Sequence, residues 1–205
     1  MANVNAPTGM SPVKSIVAAT YNGATNTYYI PSSDTNAYYI GDLVKSYAGA
    51  DTNGIPRVQP AAAGNTCRGV IVGVYVTGPN APASLLGAAL ALENTYIPAT
   101  KTKDYYVMVC DDPNAIFEIQ ADAVTAANLV AANMNKNANF IVAAPSSPYQ
   151  QSATVLDSNS IATTQALPLR IMGLSPLAIN NAFGIYCRLL VKFNQHELMG
   201  NTAGV

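Results

Sequence analysis

Charge is what this sequence has least of. Only 10% of its 205 residues are Asp, Glu, Lys or Arg, where an ordinary soluble domain carries about 25%. A solitary globule stays in solution through a mixed, charge-studded surface; a surface of Asn, Thr, Ser and Ala suits a protein packed among other subunits. Tryptophan is absent and histidine occurs once. The first absence removes the usual stacking platform for sugars, and the second leaves no His pair for a zinc site. Ten basic residues are scattered singly from Lys14 to Lys192 and the formal net charge is −1. No linear stripe exists to neutralise successive phosphates, so direct nucleic-acid binding is not expected.

Long apolar runs are missing too. The longest weakly polar stretch, residues 83–92, falls far short of the roughly 20 residues that span a bilayer. The start, Met-Ala-Asn-Val-Asn-Ala, lacks the basic and apolar regions of a signal peptide. The expectation is a protein made in the cytoplasm, with no membrane partner. Cys67, Cys110 and Cys187 are odd in number, far apart and beside apolar runs, which favours buried free thiols over a disulfide framework.

What is present reads as β. Half of the chain is hydrophobic, but much of that is alanine; the core formers are Val, Ile, Leu, Tyr and Phe in separate short runs. At this length roughly 70% of the unfolded surface can be buried, enough for one large β domain or two small ones. Residues 1–12 hold Pro7, Gly9 and Pro12 among small polar residues and read as an extended arm. Runs at 15–18, 27–30, 38–40 and 43–47 are aromatic or β-branched, divided by Asn22-Gly23, Pro31-Ser32-Ser33-Asp34 and Gly41-Asp42, which are turn chemistries. Residues 48–66 read as a long hairpin or exposed loop with one brief strand at 57–59. The run 68–76 is a strong strand whose Gly69 and Gly73 predict a bulge or a close backbone approach. Residues 79–103 read as a linker, with Leu85, Leu86, Leu90 and Leu92 placed for a short helix.

In the second half, runs 104–110 and 115–120 flank Asp111-Asp112-Pro113-Asn114 and read as an antiparallel hairpin. Residues 121–135 fit a short helix or an ordered loop, and strands follow at 139–142, 153–156, 167–172 and 184–193. The last alternates Ile185, Cys187, Leu189, Val191 and Phe193 against Tyr186, Arg188, Leu190 and Lys192. The fold class is all-β, an antiparallel sandwich or barrel. Its organisation reads as an arm 1–13, a β unit 14–78, a linker 79–103, a second β unit 104–198 and a tail 199–205.

Motifs for chemistry are few. His196 has neither a second His nor a Cys pair to join it in a metal site, and reads as a hydrogen-bonded histidine at a strand end or interface. Asp111-Asp112 before Pro113 reads as a turn cap rather than a calcium loop. No Gly-x-Ser-x-Gly elbow and no phosphate-cradling glycine loop occurs. No catalytic residue, cofactor or metal is expected. The doublets Tyr28-Tyr29, Tyr38-Tyr39 and Tyr105-Tyr106 should place one ring of each pair in the core and the other outward, where tyrosine is a good interface anchor.

Several segments resemble one family of tailed-phage virion proteins, the small β-rich structural, cement or head-decoration polypeptides. They are Ala2-Asn3-Val4-Asn5-Ala6-Pro7 with Gly9 and Pro12-Val13, Tyr29-Ile30-Pro31, Gly41-Asp42-Leu43-Val44, Gly69-Val70-Ile71-Val72-Gly73 and Tyr96-Ile97-Pro98-Ala99. Further on come Val109-Cys110-Asp111-Asp112-Pro113-Asn114 leading into Phe117-Glu118-Ile119-Gln120-Ala121-Asp122, then Leu169-Arg170-Ile171-Met172-Gly173-Leu174 and Val191-Lys192-Phe193-Asn194 with His196. The Asp-Asp-Pro block followed by Phe-Glu-Ile-Gln, in that order after Gly-Asp-x-Val, is the most specific part. The resemblance implies a non-enzymatic subunit, a homotrimer bound to the major capsid protein on the outer surface of the head. A tail or head-to-tail component and a glycan-binding or depolymerising virion protein are the rival readings. Interface candidates are Asn3, Val4, Pro7, Met10 and Pro12 of the arm, Tyr29, Tyr38, and Leu198 near the tail.

Overall fold

The computed structural model describes residues 3–17, 20–75, 96–123, 129–145 and 150–199. Thirteen strands lie in this part of the chain: β1 Ser11–Ser15, β2 Asn26–Ile30, β3 Tyr38–Tyr39, β4 Leu43–Ala50, β5 Pro56–Pro60, β6 Gly69–Tyr75, β7 Tyr96–Ile97, β8 Tyr105–Cys110, β9 Ala115–Gln120, β10 Asn137–Ile141, β11 Val155–Ala162, β12 Leu169–Leu174 and β13 Arg188–Phe193. The only helical element described is a 3-10 turn at Ala131–Asn133. The protein is all-β, as its short β-branched and aromatic runs predict.

Five strands close a barrel in the order β2-β5-β4-β6-β8, with β2 and β5 parallel and the other pairs antiparallel. Its interior is filled by Ile30, Val44, Val58, Ile71, Val107 and neighbours. Strands β3 and β7 form a small separate pair. The second sheet runs β1-β9-β13-β12-β10-β11 and is antiparallel throughout. It curls until Ala121, just past β9, bridges Leu156 of β11. Phe117, Ile119, Phe140, Leu169, Ile171, Leu189, Val191 and Phe193 line its inner face. Alternation in β13 is as read, Leu189, Val191 and Phe193 inward, but Ile185 is exposed because the strand begins only at Arg188.

The two glycines of β6 serve both predicted purposes. A Cβ at Gly69 would lie 2.4 Å from the Cys110 carbonyl oxygen, so only glycine lets β6 and β8 approach there. Gly73 marks a register shift against β8, a bulge that bends the barrel wall.

Three expectations need correction. Runs 104–110 and 115–120 are not a hairpin: β8 pairs with β2 and β6, and β9 with β1 and β13. The intervening turn carries the chain from the barrel into the second sheet. The units drawn at 14–78 and 104–198 do not match sheet membership, since β8 belongs to the barrel and β1 to the second sheet. One core cluster joins both, holding Leu43, Cys67 and Val70 together with Phe117 and Phe193. The tyrosine alternation fails at Tyr105-Tyr106, where both rings are buried. The helix read at 85–92 lies outside the described residues, and of the linker 79–103 the described end contains strand β7.

The C-terminal part closes back on the barrel. Cys67 and His196 form a bridge, with the Cys67 amide donating to the Gln195 carbonyl at 3.2 Å and the Glu197 amide to the Cys67 carbonyl at 3.0 Å. Glu197 also accepts the Ser46 amide at 2.9 Å. His196 is buried against Phe193, ring centroids 5.3 Å apart, and its Nδ1 accepts the Leu198 amide at 3.0 Å. Burial lowers its pKa to about 4, against the opposing pull of Asp111.

Candidate interaction surface

The N-terminal segment is strapped to its own chain, which corrects the free arm. Asn3 Nδ2 donates to the carbonyls of Ala182 at 2.9 Å and Ile185 at 2.8 Å. Asn180 holds Val4 from both sides: its Oδ1 accepts the Val4 amide at 2.8 Å and its Nδ2 donates to the Val4 carbonyl at 2.8 Å. Gln120 Oε1 accepts the Ala6 amide at 3.1 Å and its Nε2 donates to Asn5 Oδ1 at 3.2 Å. The Met10 amide then donates to the Gly41 carbonyl at 2.9 Å, and β1 continues as an added strand beside β9.

Beneath the strap lie polar residues of the outer face of the second sheet. Glu118, only 6% exposed, accepts Arg188 Nη1 at 2.6 Å and the Ser175 hydroxyl. Desolvating a carboxylate is costly unless it is paired and hydrogen-bonded, and here both conditions are met. The same logic accounts for two other buried acids. Asp111 accepts Asn26 Nδ2 at 2.8 Å and the Tyr28 hydroxyl, with Arg68 Nε 3.6 Å away. Its neighbour Asp112 is the turn cap, accepting the Asn114 amide at 2.8 Å. Asp34 is met by Arg57 at 3.1 Å, Lys101 at 3.6 Å and the Tyr38 hydroxyl at 3.1 Å. Burial raises the Asp34 carboxyl, but the Asn36 amide, Arg57 and Tyr38 outweigh it and hold the pKa below the usual range. These carboxylates are committed to internal partners, and among the described residues no group of three or more His, Cys, Asp or Glu is placed to hold a metal ion.

The surface the strap helps to build is apolar. The loop between β12 and β13 is shaped by Asn180 and Tyr186 in left-handed backbone conformation, with φ of 57° at each. Its ends are tied by the Ser175 amide to the Arg188 carbonyl at 2.8 Å and the Arg188 amide to the Asn180 carbonyl at 2.8 Å. The loop leaves Leu177, Ile179, Phe183 and Ile185 exposed, and Val4, held by Asn180, is exposed on the strap. Val4 is 61% and Ile179 68% exposed. Isolated exposed apolar residues are ordinary, whereas several on one braced unit mark an interaction site.

The predicted interface residues divide accordingly. Val4 belongs to this surface, and Asn3 anchors it. Pro7 is half-buried and lines an open hollow of about 610 Å³ with Asn5, Asp122 and Tyr186. Pro12 pairs with Phe117 in the β1–β9 ladder. Met10 and Tyr38 are corrections: both are fully buried, Met10 in the shared core and Tyr38 in the barrel. Met10 goes inward because Gly9 and Gly41 let the strap sink between the barrel and the second sheet. Tyr38 goes inward because its hydroxyl reaches Asp34. Tyr29 is half-buried, its ring 5.7 Å from that of Tyr106 and its hydroxyl donating to Asp104 at 3.1 Å. Leu198 is exposed, its amide held by the buried His196. Ile179 and Phe183 were missed, because residues 177–185 mix Pro, Asn and Gly neighbours with apolar singles and show no strand period.

No family model, curated protein or solved structure matches the chain.

Proposed function

We propose that this chain is a non-enzymatic capsid decoration subunit of a tailed phage, which binds the major capsid protein on the outside of the head and stabilises the shell, acting as a homotrimer. The observation that carries the reading is the braced apolar unit of Val4, Leu177, Ile179, Phe183 and Ile185 on a chain otherwise poor in charge. The sequence resemblance adds the partner. A subunit bridging neighbouring capsid proteins adds buried area across seams that internal pressure would open. Area alone does not set affinity, since association has a large entropic cost; a surface already ordered by the strap avoids part of it. Many equivalent sites on one shell, engaged by a multivalent subunit, then give avidity.

The test is co-sedimentation of the purified protein with empty heads of the phage that encodes it, followed by the same measurement on Val4→Asp, Ile179→Asp and Phe183→Asp. The substituted side chains are at least partly solvent-exposed, so folding should persist. Burying one such residue is worth about 1.5–3 kcal/mol, so each substitution should weaken head binding by tenfold or more. A wild-type protein that ignores heads at every concentration would sink the proposal.

A further inference from the structure

The topology assembles a cationic row that the sequence disperses. Lys192 of β13 lies directly opposite Arg170 of β12. The pairing of Val191 with Phe117 puts Lys192 level with Ile116 of β9, and Ile116 is opposite Lys14 of β1. Lys14, Lys192 and Arg170 therefore lie in one line across four adjacent strands, with the buried Ile116 between Lys14 and Lys192, on the face opposite the buried Leu169, Ile171, Val191 and Phe193. Three strand spacings of about 4.8 Å make the row about 14 Å long.

Among the described residues no ion pair engages it. The ion pairs among the described residues engage Arg57, Arg68, Lys101 and Arg188, and Arg170 donates only to Asn137 Oδ1 at 3.0 Å. Like charges directly opposite each other on a sheet destabilise it. In a chain with ten basic residues, Lys192 and Arg170 face each other directly and Lys14 stands level with them beyond Ile116, while the nearby Glu118 on this face is taken by Arg188. Beside the row is an open hollow of about 370 Å³ lined by Ile16, Met172 and Met199 as well as Arg170 and Lys192, and those three apolar side chains are exposed.

We infer that this face receives an extended acidic segment of a partner protein, with carboxylates at alternate positions and apolar side chains between them. Alternate residues of a strand stand about 6.6–7 Å apart on one face, so three carboxylates span about 13–14 Å, the end-to-end length of the row, and long lysine and arginine side chains can reach the middle one. The apolar fringe favours a peptide over a phosphate backbone, which offers no apolar groups for Ile16, Met172 and Met199. Edge-strand addition is not the mode, because β1 is short and carries Pro12, Lys14 and a register shift, the usual devices that blunt an edge. The inference concerns different residues from the apolar unit and does not depend on the capsid reading.

The test is fluorescence anisotropy with a short labelled peptide bearing three glutamates at alternate positions separated by leucine, a glutamine-for-glutamate control and a short DNA duplex. The wild-type chain should bind the acidic peptide, more weakly as salt rises, and should prefer it to both controls. Each of Lys14→Gln, Arg170→Gln and Lys192→Gln should weaken binding about threefold to fivefold, and the triple variant by roughly thirtyfold. Lys192→Glu separates binding from folding: it creates a cross-strand pair with Arg170, so its melting temperature should rise while peptide binding is lost. Equal binding by the triple variant, no binding by wild type, or tighter binding of the duplex would each overturn the inference.

Discussion

Gly9→Ala should loosen the strap more than its size suggests. Gly9 has φ of +68°, and a Cβ there would lie 2.4 Å from the Gly41 carbonyl oxygen and 2.6 Å from Ser152 Cβ. Neither can retreat easily. The Gly41 amide donates a hydrogen bond to the Ile71 carbonyl at 2.8 Å, and the amide of buried Ser152 donates one to the Ile40 carbonyl at 3.0 Å. A left-handed alanine costs about 1–2 kcal/mol and overpacking against fixed neighbours about 1–3 kcal/mol, so the loss should be about 3 kcal/mol. Gly23→Ala is the control, with φ of +80° but nothing within 4 Å of the added carbon. Part of its backbone cost is offset by reduced freedom in the unfolded chain, leaving a change near or below about 1 kcal/mol. Chemical denaturation would give the two differences, and hydrogen exchange would show whether the amides of Val4, Ala6 and Met10 open first. In a melt the Gly9 loss amounts to roughly 6–12 °C at this chain length. If Gly9→Ala and Gly23→Ala proved equally mild, the close approach of the strap to Gly41 would be refuted.

Other outcomes follow from the same packing. Buried Asp42 has its pKa raised to about 6 by desolvation, so as pH falls from 6 to 4 the folded state takes up a proton that the unfolded carboxylate declines, and stability rises. His196, lowered to about 4, works oppositely: from pH 6.5 to 4 the unfolded imidazole binds the proton and stability falls. Each effect is about 3 kcal/mol at most, so the two should largely cancel in the wild type, while Asp42→Asn should lose stability on acidification and His196→Gln should gain it; parallel pH profiles for all three in urea melts would contradict this. Cys67, Cys110 and Cys187 are buried and unpaired, with burial raising every thiol and Cys187 to about 11; a thiol reagent should label the native protein slowly and find three thiols after denaturation. Deleting residues 1–12 removes Met10 from the core and shortens β1, so the truncated chain should melt well below the parent, and an unchanged melt would restore the free arm.

Local chemistry was a good guide to strands and a poor one to their partners. Strands β2, β4, β6, β9 and β13 stand close to where β-branched and aromatic runs place them, because burial of one or both faces selects those residues. The Asp-Asp-Pro-Asn turn looks the same whether the chain doubles back or crosses to another sheet, and only β2, β6, β1 and β13 decide that. The strap looked unheld because its own residues bury little. What holds it is Asn180 and Gln120, more than a hundred residues away. The apolar surface was half legible, in Val4 but not in Ile179 or Phe183. The cationic row was not legible at all, since positions 14, 170 and 192 meet only through the register of β1, β9, β13 and β12.

The most direct test of the account is an averaged electron-microscopy image of the intact particle with this chain located in it. A decoration subunit should appear as repeated trimeric density on the outside of the head, with the loop carrying Ile179 and Phe183 turned toward the capsid lattice. Density confined to the tail, or a particle without the chain, would contradict it.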